Sequence, residues 1–240
     1  MESIDAIILC GGLGKRLRPA IGTRQKTMAS VNGQPFLEIL LKYLLQQEVE
    51  RVILCTGFQA KSVEDYFRRK NWGLTIVFSR EREPLGTGGA VKQARTLVRS
   101  KNFFVLNGDS LCEISYPSLL KQHERQKALA TIVAAKVSAS KDFGTMVIDQ
   151  ANRIMRFEEK SAPNPAAAYV NAGVYCFSRQ IFPFFPKTKS FSLERDVFPQ
   201  WPALLKNGFV GYKIKSPFHD IGTPQRYKKA QVIFKGRHPS

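Results

Sequence analysis

Four times before residue 130, a short apolar run is followed by an amphipathic one. "IDAIILC" precedes "PFLEILLKYLLQQ", "RVILCTG" precedes "KSVEDYFRRK", "LTIVFSR" precedes "TGGAVKQARTLVRS", and "NFFVLNGDS" precedes "PSLLKQHERQK". Short continuous apolar runs suit buried strands, whereas apolar residues every three or four positions put a stripe on one side of a helix. The alternation predicts an α/β chain: a mostly parallel sheet with helices on both faces, three layers in all. In such sheets ligands bind beyond the carboxyl ends of the strands. Attention therefore falls on "CGGLGKRLRP" after the first strand, "EREPLGTGGA" after the third and "NGDS" after the fourth.

The rhythm changes after "ATIVAAKV". "GTMVIDQANRIMRFEEK" reads as a hairpin turning near Gln150–Asn152, and "AYVNAGVYCFS" as another strand. "SLERDVFPQWPALLKNG" reads as helical with a break near Pro199 and Pro202, "FVGYKIK" as a strand, and "TPQRYKKAQVIFKG" as a closing helix. No linker, repeat or low-complexity tract interrupts the chain. It reads as one domain over 1–240, with about 1–130 holding a nucleotide-like ligand and 131–240 holding something else.

The net charge is +18. It runs through nearly every segment, without the Lys/Arg cluster interleaved with aromatics that a nucleic-acid surface needs. Solvated surface and attraction of phosphate-rich small molecules account for it better. Cys10, Cys55, Cys112 and Cys176 are widely spaced, which suggests neither a zinc site nor a disulfide framework. "MESIDAIIL" lacks the features of a signal peptide, and no run approaches the length of a membrane span. The expectation is a cytoplasmic protein with reduced thiols and neither membrane nor nucleic acid as partner.

Glycine lets a ligand approach backbone closely, and exposed N–H groups beside cations form an anion site. Gly11, Gly12 and Gly14, with Lys15, Arg16 and Lys26 following, predict a phosphate-bearing ligand. The loop is neither a P-loop, since Leu9 and Arg16 stand where Gly and Ser/Thr are needed, nor a dinucleotide fingerprint, since Leu17 replaces its last Gly. Asp109 ends one strand and Asp220 another, before the helix start Thr223-Pro224. Each is also ordinary turn or cap chemistry, but two aspartates at strand ends can share a hard divalent cation such as Mg²⁺. Lys160 in "FEEKS" is by itself a salt-bridge partner. "EPLGTGGA" can press backbone amides against a base or phosphate.

The order of these features carries more than any one of them. "GGLGKRLRP", Lys26-x-Met28, "GQPFLE", "EPLGTGGA", "LNGD", "FEEK", "VNAGVY", "SLERDVFP" and "HDIGTPQRY" together resemble the sugar-1-phosphate nucleotidyltransferases across almost the whole chain. Within that family the chain most resembles the D-glycero-α-D-manno-heptose 1-phosphate guanylyltransferases, with the mannose-1-phosphate guanylyltransferases as near relatives. The resemblance implies a GT-A-like, Rossmann-related fold. It also implies in-line attack of a sugar 1-phosphate oxygen on the α-phosphorus of a nucleoside triphosphate, with pyrophosphate leaving. A GDP-heptose product would feed lipopolysaccharide, capsule or an S-layer. A catalytically inactive nucleotide sensor is the rival reading; the oligomeric state is left open, and with no β-helix after the domain no attached acyltransferase is expected.

Residue by residue, the resemblance implies the following roles. Backbone at Leu9, Gly11, Gly12 and Gly14 would hold nucleoside and phosphates, with Gly86, Thr87 and Gly108 also on the nucleotide side. Arg16 would clamp the pyrophosphate, Lys26 would bridge it to the α-phosphate, and Asp109 and Asp220 would hold Mg²⁺. Lys160 would hold the sugar phosphate, Asn171 and Gly173 would contact the sugar, and Glu159 and Glu194 would accept from its hydroxyls. Guanine is the favoured base, because a carboxylate at Glu81 can accept N1–H and N2–H together; pairing of Glu81 with Arg80 or Arg82 is the alternative. The family's prolines around the lysine are missing from Gln25-Lys26-Thr27-Met28, which predicts a less rigid Lys26. Ser161 likewise stands where proline is common.

Overall fold

The computed structural model describes residues 4–69, 71–136, 143–159, 169–215 and 218–236. In chain order the first half comprises β1 (Asp5–Cys10), α1 (Arg18–Ile21), β2 (Ser30–Val31), β3 (Gln34–Pro35), α2 (Phe36–Gln46), β4 (Arg51–Thr56), α3 (Ala60–Arg68), β5 (Thr75–Arg80), α4 (Gly86–Ala94), β6 (Asn102–Asn107), β7 (Ser110–Cys112) and α5 (Tyr116–Arg125). The second comprises β8 (Ala130–Lys136), β9 (Thr145–Ile148), β10 (Ile154–Glu158), β11 (Tyr169–Ser178), α6 (Trp201–Leu205), β12 (Phe209–Ile214), β13 (Phe218–Asp220) and α7 (Pro224–Ile233).

Among the described residues a nine-stranded sheet organises the fold. β1 lies between β4 and β6, and β5 extends the edge beyond β4, all parallel. β11 then pairs antiparallel with β6 and with β8, and β12 adds to β8 in parallel. The β9–β10 hairpin attaches to the first residues of β11. The sheet is thus mixed around a parallel core of β5, β4, β1 and β6, with β11 the strand that joins the two halves of the chain.

Alternation along each strand builds the layers. Ala6, Ile8 and Cys10 of β1, Val52 and Leu54 of β4, and Phe104 and Leu106 of β6 join one apolar layer with residues of α2, α3, α5 and α7. Ile7, Ile53, Cys55, Phe103 and Val105 join the other, with residues of α4 and α6. Period-two side chains buried on both faces read as near-continuous apolar runs, which is why these strands were legible. All four cysteines are buried and free within these layers. Among the described residues no helix is long and apolar enough to cross a membrane.

Two segments differ from their sequence reading. "SLERDVFPQWPALLKNG" is not one broken helix: Leu193–Val197 form a π-helical turn, and α6 starts afresh with Pro202 in its first turn. "TGGAVKQARTLVRS" leaves α-geometry after Ala94 for a 3-10 turn over Arg95–Leu97. The hairpin expected near Gln150–Asn152 is β9–β10, with Asn152 at φ 65°.

Candidate functional site

A cleft of about 920 Å³ opens at the carboxyl ends of β1, β4, β5 and β6. Leu9, Gly11, Gly12, Gly14 and Arg16 line it from the first loop, and Lys26 from the next turn. Glu81, Gly86 and Thr87 follow β5; Asp109 follows β6; Glu159, Asn171, Gly173, Glu194 and Asp220 come from the second half. Lys160 and Ser161 lie outside the described residues.

The first loop is shaped by contact. Gly14 sits at φ 58° and starts a 3-10 turn over Lys15–Leu17. A Cβ there would stand 2.9 Å from the Cβ of Lys26, so glycine is needed both for conformation and for space. Gly12 has nothing within 4 Å of a Cβ position and faces open space. Gly108 lies between Asn107 and Asp109, which both line the cleft. Its N–H donates to the Leu9 carbonyl at 2.9 Å, and a Cβ would crowd that oxygen at 2.8 Å, so it closes the wall from behind.

Opposite charges gather at the deep end. Lys26 forms an ion pair with Asp109. Asp220 ends β13, which pairs antiparallel with β7 so that Asp220 faces Ser110. Ile221 N–H donates to the Asp109 carbonyl at 3.0 Å. Asp109, in the turn just before β7, and Asp220, at the end of the β13 strand that pairs with β7, are therefore brought together. Asp220 Oδ1 accepts from Gly222 N–H at 2.8 Å and from Arg226 Nη1 at 3.3 Å. A Cβ on Gly222 would stand 3.6 Å from Lys26 Nζ and 3.8 Å from Arg16 Nη2. Arg16, Lys26, Asp109 and Asp220, spread over two hundred residues of sequence, thus converge on one corner.

Among the described residues no group of three or more His, Cys, Asp or Glu gathers to hold a metal ion alone. Two hard carboxylates whose backbones meet, through the bond from Ile221 N–H to the Asp109 carbonyl, suit an ion that keeps water and takes its remaining ligands from substrate phosphate, as Mg²⁺ does. The donor set fits that ion.

Glu81 follows β5, and its N–H donates to the Thr56 carbonyl at 2.7 Å. Its carboxylate turns inward, where Oε2 accepts Leu85 N–H at 3.0 Å and Oε1 rests on Gly11. Burial raises its pKa, opposed in part by the Leu85 N–H. The alternative partner Arg80 is committed elsewhere, to Glu64 at 2.9 and 2.7 Å.

On the other wall, the pairing of β11 with β8 shifts register between Asn171 and Tyr175, around Gly173 at φ 74°. A bulge re-aims side chains in this way. Asn171 Oδ1 accepts Gly173 N–H at 2.9 Å, and its Nδ2 donates to the Tyr175 hydroxyl at 2.9 Å. Tyr175 in turn donates to Glu194 Oε1 at 3.3 Å. Glu194 Oε2 accepts from Thr87 at 2.6 Å and Ser192 at 2.7 Å. The Thr87 hydroxyl also accepts Leu193 N–H at 2.8 Å, so it ties α4 to the Ser192–Glu194 turn.

Three residues of the site and its support escaped the sequence reading. Arg226 reaches the cleft from the first turn of α7, bonds Asp220, and lies 4.5 Å over the Phe143 ring. "TPQRY" carried it in plain view as a helix-start residue, yet nothing in spacing set it beside Asp220. Tyr175 read as one more buried strand residue. Gln25 caps the turn that carries Lys26, which is therefore held where loss of the prolines predicted less rigidity.

The chain belongs to the nucleotidyl transferase family, whose model matches residues 5–235 and so spans both walls of this cleft. It is 36% identical to the D-glycero-alpha-D-manno-heptose 1-phosphate guanylyltransferase of Aneurinibacillus thermoaerophilus, over 95% of this chain and 97% of that one. It is 34% identical to the mannose-1-phosphate guanylyltransferase of Mycobacterium tuberculosis, over 100% of this chain and 67% of that one. The crystal structure of HddC from Yersinia pseudotuberculosis complexed with GMP-PN superposes with a TM-score of 0.83 at 32% identity, covering 96% of this chain and 99% of that one.

Proposed function

We propose that this protein transfers GMP from GTP to a sugar 1-phosphate, D-glycero-α-D-manno-heptose 1-phosphate first among them, giving GDP-heptose and pyrophosphate. The observation that carries the proposal is the convergence of Arg16, Lys26, Asp109 and Asp220 on one corner of a cleft that glycine backbone opens. The names of the relatives supply the guanylyl group and the sugar.

The chemistry follows from charge. A sugar phosphate is largely ionised near neutral pH, its second pKa being about 6, so its oxygen needs no general base. Transfer then depends on positioning two anions and neutralising their repulsion. Gly11, Gly12 and Gly14 present backbone to the triphosphate. Arg16 offers a bidentate clamp for the departing pyrophosphate, and Lys26 a point charge near the α-phosphate. Lys160 serves the sugar phosphate. Asp109 and Asp220 would hold Mg²⁺, which when bound neutralises phosphate charge.

Glu81 accepts guanine N1–H and N2–H. Asn171, Gly173, Glu159 and Glu194 face the sugar, with Tyr175, Ser192 and Thr87 holding Asn171 and Glu194 in place. Residues to about 130 serve the nucleotide and those beyond it the sugar phosphate. The product is an activated glycosyl donor for a surface glycan.

The test is a matrix of GTP, ATP, UTP, CTP and dTTP against heptose, mannose and glucose 1-phosphates with Mg²⁺, followed by pyrophosphate release. GTP with the heptose 1-phosphate is expected to lead. Best turnover with UTP or dTTP would reject the role of Glu81, and best turnover with mannose 1-phosphate would reassign the sugar.

A further inference from the structure

Gln25 is 1% exposed, and both ends of its carboxamide are engaged. Its Nε2 donates to the carbonyl of Cys10, where β1 gives way to the glycine loop. Its Oε1 accepts from the Thr27 N–H at 2.5 Å, the Thr27 hydroxyl at 2.6 Å and the Met28 N–H at 3.3 Å. Its own N–H donates to Gln59 Oε1 at 3.0 Å, and Gln59 Nε2 donates to the Thr23 carbonyl at 2.7 Å. Gln59 is exposed, at the start of α3. Gln25 has extended backbone, φ −61° and ψ 133°, and its side chain caps the 3-10 turn Lys26–Met28.

One side chain thus bonds both the strand end that opens the phosphate loop and the turn that carries the lysine. The two are already in contact, since a Cβ on Gly14 would crowd the Cβ of Lys26. An ammonium on a four-carbon stem reaches many places, so its location depends on how the stem's base is held. We propose that Gln25 is a positioning residue: its carboxamide couples the end of β1 to the Lys26 turn and sets where the Lys26 ammonium stands relative to the Gly11–Gly14 backbone. Gln59 supports it by holding the Gln25 N–H. This rests on the proposed role of Lys26 at the α-phosphate.

Gln25→Ala removes both connections. Misplacement of a catalytic group by about 1 Å can cost about 100-fold, so kcat is expected to fall at least ~10-fold, with KM for GTP and for the sugar 1-phosphate each within ~3-fold of wild type. A double-mutant cycle with Lys26→Ala separates positioning from general support of the fold. If Gln25 acts through Lys26, the double variant turns over within ~3-fold of Lys26→Ala alone. Gln59→Ala, at an exposed position, keeps the test open should Gln25→Ala fold poorly. It is expected to lower kcat ~3-fold, and that loss is expected to vanish in the Lys26→Ala background. Losses that multiply in the double variants, or wild-type kcat in both single variants, would overturn the proposal. Wild-type protein is assayed first: if it releases no pyrophosphate with any sugar 1-phosphate, the proposed activity fails, an outcome distinct from any loss confined to the variants.

Discussion

A methyl group on Gly11 tests the base-selecting role of Glu81 without altering Glu81. The Cβ of Gly11→Ala would overlap Glu81 Oε1 and stand 3.2 Å from Glu81 Cδ and 3.3 Å from the Gly57 nitrogen. Gly11 is not among the positive-φ glycines, so alanine adopts its backbone without strain. The carboxylate is the part that yields, by about 1 Å, to restore a contact of about 3.5 Å. The 3.0 Å bond from Leu85 N–H limits where it can go. Two hydrogen bonds to a flat base edge do not survive such a shift, and at about 1.5–3 kcal/mol for each charged hydrogen bond the loss is at least ~100-fold in kcat/KM for GTP. ITP, which lacks the 2-amino group, relies on Glu81 for one bond only and is expected to lose about 10-fold. The assay is pyrophosphate release with each nucleotide at saturating sugar 1-phosphate, with a melting curve as the folding control. Turnover of GTP near the wild-type value would refute the reasoning. So would an equal fall for GTP, ITP and UTP, which would place the methyl group against the phosphates and leave Glu81 out of base selection.

Three further outcomes follow. Because burial raises the Glu81 pKa, acidification protonates its carboxylate earlier than that of an ordinary glutamate, so the GTP:ITP ratio of kcat/KM should fall from about pH 8 to about pH 5; a constant ratio would separate Glu81 from guanine. Asp5, 2% exposed at the far end of β1 from the cleft, is paired with Arg51 and accepts Ser100 N–H at 2.9 Å. Burial alone would raise its pKa, but the N–H groups of Ser100 and Arg99 and the Arg51 guanidinium outweigh that and lower it. Its stabilisation is thus complete above the unfolded pKa of about 3.9 and fades as pH falls through the lower folded value. Asp5→Ala should cost about 3–5 kcal/mol in urea denaturation at neutral pH, with kcat unchanged in the folded fraction; a loss under about 1 kcal/mol would contradict the pairing. Lys26→Ala should abolish most turnover while leaving the melting temperature near that of wild type, and near-normal activity would remove Lys26 from the mechanism.

The strands were legible because buried parallel strands are continuous apolar runs, and the ends of those runs pointed to Gly11, Glu81 and Asp109. What periodicity cannot reveal is pairing at long range. Nothing in "AYVNAGVYCFS" says that β11 inserts antiparallel between β6 and β8, or that its register shift turns Asn171 toward the cleft. The two-residue strands β2 and β3 are too short to show a period. Packing against the Leu9 carbonyl, which leaves no room for a Cβ at Gly108, is likewise a contact that no spacing reveals. Arg226 and Gln25 were invisible as site residues for one reason: their partners, Asp220 and Cys10, are fixed by tertiary contact. The absence of prolines around Lys26 suggested looseness, whereas a buried carboxamide supplies the constraint by hydrogen bonds. Composition could not reveal that exchange.

The most direct measurement is a ³¹P NMR time course of GTP, D-glycero-α-D-manno-heptose 1-phosphate and Mg²⁺ with the intact protein. The account expects GTP and sugar phosphate to disappear together, matched one to one by a GDP-sugar and pyrophosphate, and no consumption when any one component is left out. Inorganic phosphate in place of pyrophosphate, or GTP consumed without the sugar phosphate, would contradict it.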